Sequence, residues 1–355
     1  MFGPVPSAAK VAGGTNRRND GMVNFALFGA GRIGVMHAAN LVANPRAKLL
    51  YVYDVNVAAA EACAAKHKAK VAPSVEAALA DKAVDAVLIA SSTNTHVDLI
   101  TESAKAGKAV LCEKPIDLDI KRVERCRKAI AGTGVPVQIG FNRRYDPSHR
   151  AVRDAVAKGE IGALEQVVIT SRDPGLAPMA YLKVSGGIFR DMTIHDFDLA
   201  RFILGDDPVV EVFATGSVMI DQGLNALGDV DTAMVLMKAK SGALVHINNS
   251  RRAVYGYDQR VEAFGAKGMV QSDNLRANTL VRYGAKTTDA KEPLLDFFIE
   301  RYTRAYLDEV NEFIDCIAKR KQPSVGFEDG RLALILADAA WASLKSGKAV
   351  KVKYD

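Results

Sequence analysis

Residues 191–200, DMTIHDFDLA, contain three aspartates and one histidine in a stretch whose other members are mostly apolar. In a continuous helix, Asp191, His195 and Asp198 would share one face, because four-residue and three-residue spacings return to the same side. Histidine titrates near neutral pH, so it suits the removal of a hydroxyl proton, and a nearby carboxylate can orient it and stabilise its charged form. The segment therefore predicts a helix that presents His195 as a general base, with Asp191 as its partner.

Two other interpretations of this segment remain open. An aspartate and a histidine four residues apart are often only a helix-stabilising surface contact. Both residue types also bind metals, but no third and fourth ligand follow at a recognisable spacing, so no metal site is predicted. Asp196 and Asp198 receive no role from the sequence beyond helix placement or support of their neighbours.

A second candidate lies in CEKP, residues 112–115, where Lys114 ends an apolar run and precedes a proline. If this run is a strand of a parallel sheet, its carboxyl end faces the crevice in which such sheets bind ligands. A lysine ammonium placed there could bind a substrate oxygen and stabilise the negative charge that develops on it. We therefore assign Lys114 to the same chemistry as His195.

The elements that must position these residues alternate, from Val23 onward, between short apolar runs and longer helical ones. This alternation is typical of βαβ units around a parallel sheet, and it predicts a doubly wound α/β domain. The six predicted strands comprise residues 23–29, 49–54, 69–74, 83–91, 109–115 and 135–141. The predicted helices between them comprise residues 32–43, 57–69, 95–107 and 120–134.

The turn after the first strand reads FGAGRIG and places Gly29, Gly31 and Gly34 in G-x-G-x-x-G spacing. Between a strand and a helix, these glycines permit a tight turn, the approach of a pyrophosphate to backbone N–H groups, and close helix packing. Asp54 ends the second strand, where its carboxylate could bind the adenosine ribose or, alternatively, cap the next helix. Its charge would repel a 2′-phosphate and no arginine follows it directly, so NAD is predicted rather than NADP.

After about residue 145 the pattern changes, because strand-like runs follow one another mostly without helices. Their period-two or β-branched character predicts an antiparallel sheet in an α+β domain. The predicted strands comprise residues 165–171, 209–218, 232–240, 243–251, 260–266 and 268–273. Two helical stretches, residues 301–320 and 330–347, follow. The chain is thus divided into a Rossmann domain, residues 23–142, and a second domain, residues 143–355.

Composition narrows the class of protein. The 355 residues are 49% hydrophobic and 25% charged, and no apolar run is long enough to span a bilayer, so a membrane protein is not expected. Residues 1–22 mix Pro, Gly, Ala and charge, and we expect a disordered extension there. The net charge of +6 is spread over the chain without a nucleic-acid-binding motif, so no such partner is predicted. The four cysteines form no C-x-x-C pair, which suits free thiols in a cytoplasmic protein.

Six segments together resemble the Gfo/Idh/MocA oxidoreductases, and within them the bacterial inositol dehydrogenases: GAGRIG, EKP, GFNRRYDP, SGGIFRDMTIHDFDLARF, YGYDQRVEAFG and FFIERYTRAYLDEV. The likeness runs from about residue 23 to the C-terminus. GAGRIG and EKP are shared across the wider family, whereas the later segments are typical of the inositol branch. The resemblance implies a Rossmann domain joined to an open-faced, mainly antiparallel sheet that binds substrate and assembles subunits, commonly into tetramers.

The resemblance also implies NAD-dependent oxidation of myo-inositol to 2-keto-myo-inositol, with Lys114, Asp191 and His195 as the catalytic set. The cofactor-binding residues expected from it, including the SSTNTH segment after the fourth strand, are Gly29, Gly31, Arg32, Ile33, Gly34, Asp54, Ser92, Thr93, Asn94, His96, Glu113, Lys114 and Arg143. The expected substrate-binding residues are Lys114, Arg144, Asp173, Asp191, Thr193, His195 and Tyr257. Two alternatives remain open: a dehydrogenase for another inositol isomer, polyol or aldose, and a nucleotide-binding sugar sensor without activity.

Overall fold

The computed structural model describes residues 21–354 of the chain. The predicted extension, residues 1–22, therefore lies almost entirely outside the described residues. Across the described part of the chain, no helix is both long enough and apolar enough to cross a membrane.

The first half of the chain forms a six-stranded parallel sheet with helices on both faces. Its strands are β1 (Val23–Phe28), β2 (Ala47–Tyr53), β3 (Lys70–Val71), β4 (Ala86–Ile89), β5 (Ala109–Cys112) and β6 (Val137–Ile139). Its helices are α1 (Arg32–Ala43), α2 (Val57–His67), α3 (Val75–Ala80), α4 (His96–Lys105) and α5 (Ile120–Ile130). The order β3-β2-β1-β4-β5-β6 changes direction between β1 and β4, which is where such sheets bind dinucleotides. The predicted doubly wound fold is confirmed.

Both faces of this sheet are buried, which explains why its strands read as nearly continuous apolar runs. All six residues of β1 are buried. Phe25 and Leu27 belong to the core on one face, while Ala26 and Phe28 belong to the core on the other. One strand thus supplies two hydrophobic cores, because successive side chains of a strand point to opposite faces.

The second half of the chain builds a seven-stranded sheet. Its strands are β7 (Leu164–Arg172), β8 (Val209–Ser217), β9 (Thr232–Ala239), β10 (Leu244–Ser250), β11 (Asp258–Gly265), β12 (Gly268–Ser272) and β15 (Val350–Lys351). Strands β13 (Val281–Gly284) and β14 (Thr287–Lys291) form a separate two-stranded sheet. The order is β12-β11-β7-β10-β9-β8-β15, and the neighbouring pairs are antiparallel except for β7 with β10. The predicted mainly antiparallel sheet is confirmed.

One face of this second sheet is covered by helices and the other is open. The helices of this half are α6 (Pro147–Ala157), α7 (Met179–Leu182), α8 (Ile188–Asp191), α9 (Thr193–Leu204), α10 (Phe298–Arg301), α11 (Thr303–Lys319) and α12 (Phe327–Ser346). In β9, Val235 and Met237 lie in the core shared with α9 and α12, whereas Met234 and Leu236 are about half exposed on the open face. Buried and exposed side chains therefore alternate along β9, as expected for a sheet with one covered face.

Helix α11 packs against the first sheet although it follows the second sheet in the chain. Its Phe313 contacts Phe25 of β1, with ring centroids 6.1 Å apart. Val310 and Ile314 belong to the same core. The second half of the chain therefore also supplies one wall of the first domain, a contribution that dividing the chain at residue 142 did not anticipate.

Several helices and strands of the structure are not predicted from the sequence patterns. Helix α3 has six residues, too few to show a helical period, although Ser74 caps it. Helix α6 carries a clear start signal that the prediction overlooked, because Asp146 caps it and Pro147 occupies its first position. Strand β15 has two residues and pairs with β8 across a long separation in the chain, so no local pattern marks it.

Candidate active site

Lys114 and Asp191 meet where the two halves of the chain face each other. Strand β5 ends at Cys112, so Lys114 lies at the carboxyl edge of the first sheet, as predicted. Its Nζ donates a hydrogen bond to the backbone carbonyl oxygen of Asp191, at 2.8 Å. His195 follows one turn later and is close enough for the charge of Lys114 to shift its pKa downward. The structure thus brings the three predicted catalytic residues together.

The helix predicted to carry Asp191, His195 and Asp198 is interrupted at Met192. Helix α8 ends at Asp191, and α9 begins at Thr193. The amide of His195 donates to the carbonyl oxygen of Met192, which leaves the Asp191 carbonyl to accept from Lys114. The prediction of one continuous helix is therefore wrong, because a side chain from the first sheet satisfies a carbonyl that a regular helix would bond itself.

The carboxylate of Asp191 is held by two residues that the sequence analysis does not single out. The hydroxyl of Tyr181 donates to one oxygen at 2.6 Å, and the guanidinium of buried Arg251 donates to the other at 3.0 Å. Among the hydrogen bonds of residues 21–354, none joins this carboxylate to His195. The predicted orienting contact from Asp191 to the imidazole is thus absent from this arrangement. An arginine at the end of the predicted strand 243–251 was the available signal for Arg251.

His195 is half-buried, and its ring packs edge-on against Phe141, with centroids 6.1 Å apart. Burial lowers the pKa of His195 well below its usual value, and the positive charges of Lys114 and Arg143 lower it further. The imidazole is therefore neutral at neutral pH, which is the state that can accept a proton. Its Nδ1 has no hydrogen-bond partner within residues 21–354.

The ammonium of Lys114 is also shifted toward its neutral form. Burial lowers the pKa of Lys114, while the nearby carboxylates of Asp191 and Glu113 oppose that change. A lysine in this state can bind a substrate oxygen and can take part in proton transfer more readily than a solvated one. This agrees with the chemistry assigned to it from the sequence.

The two remaining carboxylates of the segment are used in buried ion pairs. Asp196 is fully buried and pairs with the guanidinium of Arg143. Asp198 accepts two hydrogen bonds from Arg144, at 2.7 and 2.5 Å. Removing one partner of such a pair leaves an uncompensated buried charge, so both pairs hold the turn after β6 against α9. The titratable groups that the sequence left without a role thus have a structural one.

Two residues predicted to bind substrate are engaged within the protein. Thr193 is fully buried, and its hydroxyl donates to Asn249 at 2.7 Å. The guanidinium of Arg144 donates to Asp329 as well as to Asp198. These contacts argue against direct roles for Thr193 and Arg144 in substrate binding.

Asp173 and Tyr257 lie closer to the catalytic cluster. Burial raises the pKa of Asp173 to about 6, the positive charge of Arg251 opposes this, and the negative charge of Asp191 adds to it. Tyr257 is buried, with its ring edge-on to Phe297 at 5.5 Å between centroids. Asp173, Asp191 and Arg251 therefore form one charged group that offers hydrogen-bond acceptors and donors to a polyhydroxylated ligand.

The glycine turn after β1 meets the requirements for binding a dinucleotide. Gly29 has a φ of +102°, and a Cβ there would lie 2.4 Å from the backbone nitrogen of Ser91. A Cβ on Gly34 would lie 2.0 Å from the carbonyl oxygen of Gly29, whereas a Cβ on Gly31 would meet nothing within 4 Å. Packing within the protein thus requires the first and third glycines, while the second leaves open space for a ligand at the start of α1.

Asp54 is fixed beside this turn. Its Oδ2 accepts a hydrogen bond from the amide of Ala30 at 2.6 Å, and its Oδ1 accepts one from the amide of Asn56 at 2.8 Å. The cap of α2 is the side chain of Asn56, which leaves Asp54 at the mouth of the turn. Its half-buried carboxylate therefore lies where it can accept a hydrogen bond from a ribose hydroxyl of a bound dinucleotide.

The loop after β4 holds four further residues of the predicted cofactor set. Ser92, Thr93 and Asn94 are exposed or half-buried in and beside a short 3₁₀ turn. His96 is buried, and its ring nitrogens lie 2.8 Å from the carbonyl oxygen of Pro115 and 3.1 Å from that of Ser91. His96 therefore ties this loop to the EKP loop instead of presenting its ring to a ligand.

Three further residues of the predicted cofactor set lie at the start of α1 and directly after β5. Arg32 is exposed, with its guanidinium 5.3 Å from the centroid of the Phe298 ring, and Ile33 is half-buried beside it. The carboxylate of Glu113 lies 2.7 Å from Nε2 of buried His37. The side chain of Glu113 is thus engaged by another residue of the protein.

Known protein families match most of the described chain. Residues 23–141 match an oxidoreductase family with an NAD-binding Rossmann fold, and residues 149–271 match the GFO/IDH/MocA C-terminal domain. The chain belongs to the Gfo/Idh/MocA family of oxidoreductases. Its first domain is the NAD-binding one, and the open side of Gly31 and the carboxylate of Asp54 fit the diphosphate and the ribose of that cofactor.

Several members of this family resemble the chain over nearly its whole length. The inositol 2-dehydrogenase of Rhizobium meliloti strain 1021 is 47% identical over 331 residues, which cover 93% of this chain and 99% of the relative. A crystal structure of a myo-inositol dehydrogenase from Corynebacterium glutamicum has a TM-score of 0.90 and 45% identity, covering 94% of this chain and 100% of that one. A scyllo-inositol dehydrogenase from Lactobacillus casei, with bound NAD(H) and scyllo-inositol, has a TM-score of 0.86 and 28% identity, covering 93% and 99%.

The two glycines of the turn provide a matched test of the cofactor site. We expect Gly31→Ala to keep the thermal unfolding temperature of the wild type but to weaken NAD binding at least tenfold, because its methyl group fills open space that the pyrophosphate needs. Gly34→Ala should instead lower the unfolding temperature, because its Cβ collides with the Gly29 carbonyl. Calorimetry and a fluorescence titration with NAD measure both effects. Unchanged NAD affinity of a folded Gly31→Ala protein would contradict the assignment.

The raised pKa of Asp173 predicts a pH-dependent stability. In the unfolded chain the pKa of aspartate is about 3.9, and in the folded protein that of Asp173 is about 6. Its stabilising contribution is therefore complete below pH ~3.9 and is lost as the pH rises through about 6, a change of up to ~3 kcal/mol. We expect the free energy of unfolding of the wild type to fall by about 2 kcal/mol, most of this amount, relative to Asp173→Asn between pH 4 and pH 7.

Urea denaturation at both pH values measures this difference. Asp206→Asn, at an exposed position, serves as the control and should follow the wild type. An equal offset between wild type and Asp173→Asn at both pH values would show that Asp173 does not titrate in this range.

Proposed function

We propose that this protein oxidises myo-inositol to 2-keto-myo-inositol (scyllo-inosose), with NAD as the hydride acceptor. The observation that carries the proposal is a neutral His195 beside Lys114 at the edge of the NAD-binding sheet. The 47% identity to an inositol 2-dehydrogenase, over nearly the whole of both chains, supports the choice of substrate.

His195 is the general base of this proposal. Its neutral imidazole accepts the proton of the hydroxyl group that is oxidised. NAD, when bound, supplies the acceptor for the hydride that leaves the same carbon. Lys114 binds the oxygen of that carbon and stabilises the negative charge that grows on it as the proton departs. The downward shift of the Lys114 pKa, caused by burial, also lets this residue pass a proton onward.

In this proposal Asp191 binds substrate and does not orient His195, the role first predicted for it. Its carboxylate, fixed by Tyr181 and Arg251, is placed to accept a hydrogen bond from a second hydroxyl of the substrate. Asp173 and Arg251 supply a further acceptor and donor in the same cluster. Inositol carries a hydroxyl on every ring carbon, so a site with several fixed acceptors and donors suits it.

The second enzymatic candidate is oxidation of another inositol isomer, polyol or aldose. The likeness to a scyllo-inositol dehydrogenase favours it, because isomers differ only in the direction of single hydroxyl groups. A sugar sensor without activity is less favoured, because Lys114 and His195 are both present and adjacent.

A kinetic experiment tests base and substrate together. The purified protein should reduce NAD in the presence of myo-inositol, faster than with scyllo-inositol or glucose and faster than with NADP. His195→Ala should lower kcat by about 10²–10⁴-fold, because the proton acceptor is lost. His67→Ala, at the end of α2, is the control and should keep wild-type turnover. Near-normal turnover of His195→Ala would exclude it as the base.

We further propose that the chain assembles into a homo-oligomer, with a tetramer as the expected form, through the open face of the second sheet. Phe213 of β8 lies opposite Leu236 of β9, and both are exposed. Met234, Leu244 and Phe264 are exposed on the same sheet. Exposed apolar side chains on several strands of one sheet are typical of an interface between subunits.

The mass in solution tests this assembly. We expect light scattering after size exclusion to give an oligomer for the wild type. Leu236→Lys should shift it toward smaller species, because a charge is costly in a dry apolar interface. Val42→Lys, at an exposed position of α1, should leave the mass unchanged. A wild-type monomer at micromolar concentration would refute the proposed interface.

A cytoplasmic location is part of the same proposal. All four cysteines, Cys63, Cys112, Cys126 and Cys316, are buried and unpaired. Free thiols are typical of proteins in a reducing compartment.

A further inference from the structure

Glu113, the neighbour of Lys114, belongs to a buried cluster with His37 of α1 and Glu309 of α11. One nitrogen or oxygen atom from each of the three lies within 4.8 Å of the other two. His37 and Glu309 are 1% and 0% exposed. The cluster therefore joins two helices to the end of β5, where the catalytic lysine begins its loop.

Glu113 connects this cluster to Lys114 directly. Its Oε1 lies 2.7 Å from Nε2 of His37, and its Oε2 accepts a hydrogen bond from the backbone amide of Lys114 at 3.3 Å. Gly140 packs closely on the same side chain, because a Cβ there would lie 3.1 Å from Oε2. The position of the Glu113 carboxylate, and with it the backbone of Lys114, therefore depends on His37.

The carboxylate of Glu309 is the unusual member of the cluster. Neither of its oxygens has a hydrogen-bond partner within residues 21–354, and both are buried. In the same part of the chain, no lysine or arginine forms an ion pair with Glu309 or with Glu113. Two carboxylates this close and this buried cannot both be charged without a proton or a cation between them.

The geometry favours a proton over a metal ion. Two ligand atoms bound to one tetrahedral zinc ion, at about 2.0–2.1 Å each, lie about 3.3 Å apart. The His37 and Glu113 atoms are 2.7 Å apart, which is a hydrogen-bond distance. A hydrogen bond therefore joins these two residues, and the excess negative charge of the cluster is removed by a proton on Glu309.

The surroundings of Glu309 agree with a protonated acid. Burial raises the pKa of Glu309 well above its usual value, and the negative charges of Glu113 and Glu312 raise it further. The other titratable groups facing it are His37, Tyr306 on its own helix and Tyr145 in the turn after β6. None of the three is a permanent positive charge that could replace the proton.

We infer that His37 and Glu309 are positioning residues for Lys114. His37 holds Glu113 through a hydrogen bond, Glu113 holds the backbone amide of Lys114, and Glu309 closes the cluster as a neutral carboxylic acid. The inference rests on the proposed function only in taking Lys114 as the catalytic lysine. Neither positioning residue needs to touch substrate or cofactor.

Substitution of His37 tests the link to Lys114. We expect His37→Ala to lower kcat with inositol by about tenfold to a hundredfold, because a small displacement of a catalytic group is costly, while KM and NAD affinity change little. His37→Gln, whose amide can still donate to Glu113, should restore most of kcat. A His37→Ala protein with wild-type kcat and only a lower unfolding temperature would show a purely structural role and overturn the inference.

Substitution of Glu309 tests the proton without any substrate, so it stands even if inositol proves not to be oxidised. A folded-state pKa above the unfolded value of about 4.3 means that stability is lost as the pH rises toward the folded pKa, with the unfolding constant growing about tenfold per pH unit. Glu309→Gln lacks this proton. Its unfolding temperature should therefore rise relative to the wild type from pH 5 to pH 9. Glu61→Gln, at an exposed position of α2, is the control and should keep a constant difference from the wild type over the same range.

Two results would overturn this part of the inference. One is a constant difference in unfolding temperature between Glu309→Gln and the wild type over that pH range. The other is a stoichiometric metal ion in the purified wild-type protein, measured by plasma mass spectrometry, that Glu309→Gln loses.

Discussion

The hydrogen bond from Nζ of Lys114 to the carbonyl oxygen of Asp191 is the contact on which the arrangement of the site depends. It joins the carboxyl edge of the first sheet to the segment that carries His195. It also occupies the carbonyl at which the helical bonding between α8 and α9 is interrupted. This contact thus joins the two halves at the site and places the charge of Lys114 beside the imidazole.

Burial and charge act together on the chemistry of this site. Arg143 compensates buried Asp196, and its positive charge also helps to lower the pKa of His195. The same guanidinium therefore stabilises the packing of α9 and favours the neutral form of the His195 imidazole. Asp191, by contrast, keeps its carboxylate between Tyr181 and Arg251, an arrangement that suits its proposed role in binding substrate hydroxyl groups better than orientation of His195. The three aspartates of residues 191–200 therefore differ in role, because each of them contacts a different arginine.

The fold assigns these tasks to different layers. The first sheet supplies the glycine turn and Lys114 from the ends of its strands, which is where open α/β sheets bind ligands. The second sheet supplies Arg251 and Asp173 from the ends of β10 and β7, and it leaves its far face open. Helix α11 then returns to the first sheet and places Glu309 beside His37 and Glu113. Lys114, the proposed catalytic lysine, is consequently supported by elements from both halves of the chain.

The sequence by itself indicated the alternating strands and helices of the first domain, the glycine turn, and Lys114 and His195 as candidate residues, because local periodicity and motif spacing carry that information. It also indicated the antiparallel character of the second sheet through its alternating pattern. Only the tertiary structure decided the break at Met192, the partners of Asp191, Asp196 and Asp198, and the return of α11 to the first sheet. These features depend on contacts between residues far apart in the chain, and the spacing of residues along one segment does not encode which distant donor will meet a given carboxylate or carbonyl.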